Sequence, residues 1–182
     1  MADALPTFRY HPDPLTSGSV VESTTECACC HRARGYTYAG PVYSESDDLD
    51  DALCPWCIDD GSAHETFDAT FVDSEAFTEH VPPDTMRTVT ERTPGYSAWQ
   101  SERWPVCCRD ATAFVAPLGI DELRASHREL EGAVMSYIVY QLGISGGAAT
   151  RMLESLTTDG SPTVYLFRCL ACEQYHVHVD KF

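Results

Sequence analysis

Nine cysteines are the residues of this sequence best suited to chemistry, and their spacing points to metal binding. Cys27 and Cys30 are separated by two residues, and so are Cys54 and Cys57. Two intervening residues let both thiolates of a pair face one ion, and two such pairs complete a tetrahedron. The 23 residues between Cys30 and Cys54 can form the hairpin that brings the pairs together. We therefore predict a structural zinc site made by these four thiolates.

A second set of four cysteines lies in the C-terminal half, at Cys107, Cys108, Cys169 and Cys172. The last pair sits between two strand-like segments, which is the arrangement of a zinc-ribbon knuckle. The side chains of adjacent cysteines tend to diverge, so we expect Cys108 to join Cys169 and Cys172. The fourth ligand would then be Cys107 or a histidine. The sequence thus predicts one zinc ion from the first set and a second from this one.

Several alternatives to this zinc scheme stay open. Cys29 could replace Cys27 in the first site. A second site with only three thiolates would hold a water in its fourth position, and the protein could then be a zinc enzyme. Cys54-Pro-Trp-Cys57 also resembles a thiol–disulfide redox motif. That chemistry needs a buried strand before the motif and a helix after it, whereas an acidic loop precedes it and residues 58–61 would stop a helix.

The chain is strongly acidic, with 28 acidic residues, 12 basic residues and a net charge of −16. Residues 1–91 hold 18 of the acidic residues and only 4 of the basic ones. This half should bind no nucleic acid, because phosphate contacts need a basic surface. The acidity indicates either adaptation to a high-salt cytoplasm or a face that binds a basic protein. In the second case we expect a docking loop formed by Asp47, Asp48, Asp50 and Asp51.

Motifs for export, membrane insertion and common enzyme chemistry are missing from the sequence. No apolar segment approaches the roughly 20 residues that cross a membrane, and the first ten residues do not form a secretory leader. We therefore expect a cytoplasmic protein that binds no membrane. The sequence also contains no phosphate-binding glycine loop, no metallohydrolase histidine pair and no nucleophile elbow. An enzyme is for these reasons the less favoured interpretation.

A polar-aromatic stretch at residues 92–100 offers a second possible contact surface. Its Pro-Gly turn places Tyr96 and Trp99 near Arg92, and these residue types are frequent at interface hot spots. The alternative is that the tryptophans of this region, Trp99 and Trp104, cover the core beside Cys107 and Cys108.

Hydrophobic periodicity predicts an α+β fold with small antiparallel, zinc-ribbon-like sheets and two helices in the C-terminal half. The clearest helix spans residues 120–142, and a second spans about 148–156. Residues 34–43 are expected to form the hairpin between the first two cysteine pairs. His176 and His178 are two residues apart in the last strand, so both should lie on one solvent-facing side. The less favoured alternative is that His176 is a zinc ligand.

Several motifs occur in order along nearly the whole chain: Leu5-Pro-x-Phe-x-Tyr-His-Pro, Cys27-x-Cys-Cys30, Leu53-Cys-Pro-Trp-Cys-Ile58, Arg92-Thr-Pro-Gly-Tyr96 and Cys169-x-x-Cys172. In this combination the chain resembles the CbrC family of bacterial proteins. The resemblance implies one domain over residues 1–182, with a zinc-knuckle half at 1–65 and a second half at 92–182 closed by the knuckle at 169–172. The family pattern includes another cysteine near Thr112, which this chain lacks.

The resemblance also implies zinc binding and a link to tolerance of a nuclease colicin, and it supplies no catalytic residues. We therefore expect a zinc-binding protein that acts by contact in toxin tolerance, immunity or stress response. A basic protein such as a nuclease toxin is the expected partner. The alternatives are a zinc-dependent enzyme with an open second metal site and a structural or regulatory adaptor.

Overall fold

The computed structural model describes residues 4–46, 48–100 and 102–181. These residues form an α+β fold with three small antiparallel sheets and six α-helices. The first half contributes β1 (Val20–Glu22), β2 (Tyr36–Tyr38), α1 (Pro55–Asp59), α2 (Ser62–Phe67) and α3 (Pro83–Arg92). The second half contributes β3 (Val106–Cys107), β4 (Asp110–Ala111), β5 (Ala113–Leu118), α4 (Ile120–Ser126), α5 (Glu131–Tyr140), α6 (Gly147–Glu154), β6 (Val164–Arg168) and β7 (Tyr175–Val179).

The first hydrophobic cluster fills the N-terminal half around Tyr38, the last residue of β2. Tyr38 is fully buried and meets the ring of Phe71 edge-on, with 5.4 Å between the ring centroids. Leu53 and Ile58, on either side of the start of α1, are also fully buried in this cluster. Pro55 opens α1, where a proline is tolerated because its missing N–H would have no partner within the helix.

The strand β6 is the centre of a three-stranded sheet with the order β5-β6-β7. Successive side chains of a strand point to opposite faces. Tyr165 and Phe167 accordingly lie in an aromatic cluster with Tyr96, while Val164 and Leu166 pack among apolar residues of α4, α5 and α6. This burial on both faces explains why the strand is a continuous apolar run.

The N-terminal arm connects the first two clusters. Phe8 is buried in the first cluster and Tyr10 in the second. The backbone N–H of Phe114, in β5, donates to the carbonyl oxygen of Tyr10 at 2.8 Å. The arm therefore fixes the sheet against the N-terminal half.

The helix expected at residues 120–142 is divided in two. It breaks at His127, whose φ of −141° lies outside the helical region, and a short 3-10 turn then leads into α5. With α6, the described part of the C-terminal half has three α-helices, so the prediction of two was wrong. The apolar pattern conceals the break because Leu123 and Leu130 are seven residues apart, which is about two helical turns.

The hairpin predicted at residues 34–43 does not form. Only Tyr36–Tyr38 is a strand, and it pairs with Val20–Glu22, which precedes the first cysteine pair. A loop, rather than a hairpin, therefore connects the first cysteine pair to the second pair at the start of helix α1.

No helix in the described part of the chain is long and apolar enough to cross a membrane.

Candidate metal centres

The first four predicted cysteines come together with the spacing of a tetrahedral thiolate site. The Sγ–Sγ distances are 3.9 Å for Cys27–Cys57, 3.8 Å for Cys30–Cys54 and 3.6 Å for Cys54–Cys57. Four sulfurs held about 2.3 Å from one zinc ion would be about 3.8 Å apart along each edge of the tetrahedron. A disulfide would instead need about 2.05 Å. The four sulfurs therefore fit one ion and form no disulfide.

A tight turn aims both thiols of the first pair at this position. The N–H of Cys27 donates to the carbonyl oxygen of Arg32 at 3.1 Å, and the N–H of His31 donates to that of Cys27 at 2.8 Å. His31 takes the left-handed conformation, with φ of 54°, to close the turn. From the second pair, the backbone N–H of Cys54 donates to the sulfur of Cys27 at 3.3 Å. Such a hydrogen bond stabilises a thiolate.

The second knuckle repeats this turn. The N–H of Cys169 donates to the carbonyl oxygen of Gln174 at 2.8 Å, and the N–H of Glu173 donates to that of Cys169 at 3.0 Å. Glu173 occupies the left-handed position with φ of 62°, and the N–H of Cys172 lies 3.5 Å from the sulfur of Cys169. Each knuckle is thus a local structure that its own five or six residues specify.

Adjacent Cys107 and Cys108 both face the second knuckle. The Sγ of Cys107 is 3.8 Å from that of Cys108 and 3.7 Å from that of Cys172, and the ligand atoms of all four cysteines lie within 4.8 Å of one another. Cys108 and Arg109 form the two-residue turn of the β3–β4 hairpin, with φ of 53° and 64°. These positive angles, typical of a type I′ turn, redirect the Cys108 side chain. The expectation that adjacent cysteines would diverge was wrong here.

Without an ion the thiols of the first set do not ionise together. A hydrogen bond with Cys54 lowers the pKa of Cys27 to about 4, while burial raises the pKa of Cys57 to about 12. The pKa of Cys54 is also raised, mainly through its hydrogen bond with Cys27. Once one thiolate has formed, its charge opposes ionisation of its neighbours. A divalent cation removes this repulsion, so metal binding and deprotonation are coupled.

The second set is more exposed to solvent than the first. Cys108 and Cys172 are exposed, Cys107 is half-buried and Cys169 is buried. A hydrogen bond from the backbone N–H of Cys172 lowers the pKa of Cys169 to about 7. Hydrogen bonding with Cys169 raises the pKa of Cys107 to about 12. The thiol of Cys169 is therefore ionised more readily than that of Cys107.

Comparison with known proteins identifies the family. The model of an uncharacterised protein family, UPF0167, matches residues 5–181. The chain belongs to UPF0167. It is 43% identical to a UPF0167 protein of Pseudomonas aeruginosa over 183 aligned residues, covering 99% of both chains. It is 42% identical to UPF0167 proteins of Mycobacterium bovis and Mycobacterium tuberculosis over 177 residues, covering 97% of this chain and 93% of each relative. No solved structure matches.

This result corrects the family expected from the motifs. The matching family model and the curated relatives carry the UPF0167 name, so the assignment to the CbrC family was wrong. The expected role in toxin tolerance or immunity came with that assignment, and no comparison supports it. The two four-cysteine groups that could hold metal ions do not depend on the family name.

The remaining sulfur and imidazole candidates of this UPF0167 protein lie outside the two cysteine sets. The Cys29 thiol is 3.6 Å from the Ser62 hydroxyl, and the His31 side chain is 76% exposed. His176 and His178 do not form the solvated face that alternation suggested. His178 is buried between Tyr137 and Asp180, and His176 is half-buried. They pair with Tyr165 and Phe167 of β6 and therefore lie on the aromatic face of the sheet.

The motif Cys54-Pro-Trp-Cys57 does begin a helix, contrary to the expectation that residues 58–61 would prevent one. Cys54 is the residue immediately before α1, and that helix ends after five residues at Asp59. The raised pKa of the Cys54 thiol is the opposite of what a redox nucleophile requires. The helix therefore serves to place Cys57 one turn from Cys54.

The stretch expected to offer a contact surface is buried at residues 93–96 and exposed at its two ends. Tyr96 is 2% exposed and stacks on Phe114 with 4.6 Å between ring centroids, so its side chain cannot form a partner surface. The Nε of Arg92 donates to the Asp59 carbonyl oxygen at 2.7 Å, at the end of α1. Trp99 alone of the three predicted residues presents a mainly free side chain, with 64% exposed.

The predicted acidic loop is partly described. Asp48, Asp50 and Asp51 are exposed, while Asp47 lies outside the described residues. Sequence reasoning missed another carboxylate, Glu102, which is only 6% exposed. Nothing in the sequence around Glu102 distinguishes it from the other acidic residues. Its burial results only from the three-dimensional packing of its loop.

Proposed function

We propose that this UPF0167 protein is a zinc protein that acts by binding, with two structural sites of four thiolates each. The observation that carries the proposal is the grouping of eight cysteines into two sets with sulfur spacings of 3.6–3.9 Å. Thiolates are soft ligands, and four of them in a tetrahedron select zinc or iron–sulfur chemistry. The CxxC knuckles and the closed four-sulfur sets favour structural zinc.

The closed coordination of both sets argues for a structural role. A catalytic zinc site keeps one position for water or substrate, and four thiolates leave none. The enzyme considered above required only three thiolates in the second site. Cys107 places a fourth sulfur within reach of the same ion, which argues against that alternative.

Each ion would link parts of the chain that no other covalent or metal bond joins. In the first site the loop bearing Cys27 and Cys30 would be tied to helix α1. In the second site the β3–β4 hairpin would be tied to the turn between β6 and β7. The role of bound zinc would be limited to this cross-linking, and the protein surface would bind the partner.

The acidic surface indicates the kind of partner. The net charge of −16 and the exposed Asp48, Asp50 and Asp51 favour a basic protein over a nucleic acid or an anionic membrane. The proposal includes a cytoplasmic location, where reducing conditions keep structural thiols free for zinc.

Zinc stoichiometry tests the proposal. Elemental analysis of the purified protein should give two zinc ions per chain, and one each for Cys57→Ser and Cys108→Ser. Cys29→Ser is the control, because Cys29 is a half-buried cysteine beside the first site that belongs to neither set, and it should retain two. X-ray absorption should show four sulfurs around each zinc. Fewer than two ions, or a nitrogen or oxygen ligand at either site, would refute the assignment.

A further inference from the structure

A cavity of about 410 Å³ opens between the loop after β2 and the loop that follows Tyr96. Of the ten described residues that line it, three are acidic and none is basic. The acidic ones are Asp50 and Asp51, which are exposed, and Glu102, which is buried. The ring of Tyr43 forms part of the wall. The cavity is thus a negatively charged pocket with an aromatic side.

The buried member of this lining lacks a partner for one of its oxygens. Oε2 of Glu102 accepts a hydrogen bond from the backbone N–H of Asp73 at 3.1 Å. Oε1 is buried and has no hydrogen-bond partner among the described residues, and the whole residue is 6% exposed. Buried carboxylate oxygens are nearly always hydrogen-bonded, since an unpaired one is costly. An unpaired oxygen on a residue that lines a cavity indicates a missing donor.

The spacing of the carboxylates indicates whether the pocket would suit a metal ion or an organic cation. A divalent metal ion needs several oxygens within about 2.5 Å of its centre. Among the described residues, only the two cysteine sets bring three or more possible ligand atoms within 4.8 Å of one another, so Asp50, Asp51 and Glu102 do not converge on a metal. A guanidinium or ammonium group spans longer distances, donates several hydrogen bonds and stacks on aromatic rings.

We propose that this pocket binds an organic cation, an alkylguanidinium or alkylammonium group, with Glu102 as the buried anchor and Asp50 and Asp51 at the mouth. The group could belong to a free amine or to an arginine or lysine side chain of a protein. The second source would be the partner expected above, so in that form the inference rests on the proposed function.

Calorimetric titration of the zinc-loaded protein distinguishes these cases. The probes are agmatine, Nα-acetyl-arginine-methylamide and the citrulline analogue of the latter, which has the same shape but no charge. We expect the arginine compound to bind and the citrulline compound to bind at least about tenfold more weakly, as expected for the loss of one buried ion pair. Binding of agmatine alone would assign the pocket to a free amine. Binding of the arginine compound would extend it to protein side chains.

Glu102→Gln is the decisive variant, because it keeps the acceptor for Asp73 and removes the charge. It should weaken the cationic probes at least about tenfold, whereas Glu79→Gln, at an exposed carboxylate outside the lining, should leave them unchanged. Equal affinity for citrulline and arginine compounds, or an unaltered affinity in Glu102→Gln, would overturn the proposal. So would calcium that displaces the probe stoichiometrically.

Zinc content is measured on the same samples, so the two proposals fail separately. A protein that binds arginine amide through Glu102 with fewer than two zinc ions would contradict the zinc assignment only. A protein with two zinc ions and no charge-selective binding would contradict the pocket only.

Discussion

The replacement of Glu102 by glutamine should stabilise the protein, and more so at higher pH. Burial raises the pKa of this carboxyl from 4.5 to about 7 in the folded protein. The folded state therefore holds the proton more tightly than the unfolded chain. The associated stability is complete below pH 4.5 and is lost as the pH rises through 7. With these two values, ionisation costs about 2 kcal/mol at pH 6 and about 3 kcal/mol at pH 8.

Glutamine cannot ionise, so Glu102→Gln should be more stable than the wild type by an amount that grows by about 1 kcal/mol between pH 6 and pH 8. Urea unfolding followed by tryptophan fluorescence gives the free energy of unfolding at each pH. Glu79→Gln serves as the reference, since any pH dependence of zinc binding is common to all three proteins and cancels. A stability difference that stays constant or shrinks with rising pH would refute the reasoning about this side chain.

Two further pairs of substitutions test the backbone. Gly95→Ala should lower the free energy of unfolding by about 3 kcal/mol or prevent folding, because the new Cβ would lie 2.0 Å from the carbonyl oxygen of Phe71. Gly132→Ala, in helix α5, should instead raise the free energy of unfolding by up to about 1 kcal/mol, because nothing lies within 4 Å of its new Cβ. Thermal unfolding of both variants checks the contrast. Glu173→Gly and His31→Gly should each raise the free energy of unfolding by about 0.5–1 kcal/mol with zinc retained. Both residues adopt the left-handed backbone conformation, which strains any residue with a Cβ but not glycine. A loss of stability in either variant would show that the turn does not strain its residue.

The grouping of the cysteines into two sets was predictable because the geometry of each knuckle is local. In each knuckle a Cys-x-x-Cys turn fixes two thiols through hydrogen bonds within six residues, such as those from Cys27 to Arg32 and from Cys169 to Gln174. Cys107 was harder to assign. Its participation depends on the left-handed conformation of Cys108 in the β3–β4 turn, and neither Cys108 nor Arg109 is a residue type that favours positive φ.

Errors in the fold prediction came from interactions between distant segments. Residues 34–43 contain turn-forming residues and tyrosines, which favoured a hairpin, but Tyr36–Tyr38 finds its partner in β1 instead. Tyr96 follows a Pro-Gly turn and would be exposed in isolation. It is buried because Phe114 and Phe167, from two strands of the distant sheet, close around it. No local pattern carries information about such partners.

The two cysteine sets stand in different relations to the hydrophobic core. Cys27, Cys54 and Cys57 belong to the first hydrophobic cluster itself, where Leu53 and Ile58 flank the second pair. Without a cation the ionised Cys27 opposes ionisation of its neighbours, so folding of this core and binding of an ion would be coupled. The second set lies at exposed hairpin ends beyond the clusters, beside a sheet that buries its central strand on both faces. Zinc would therefore complete a core in the first case and hold two hairpins in place in the second.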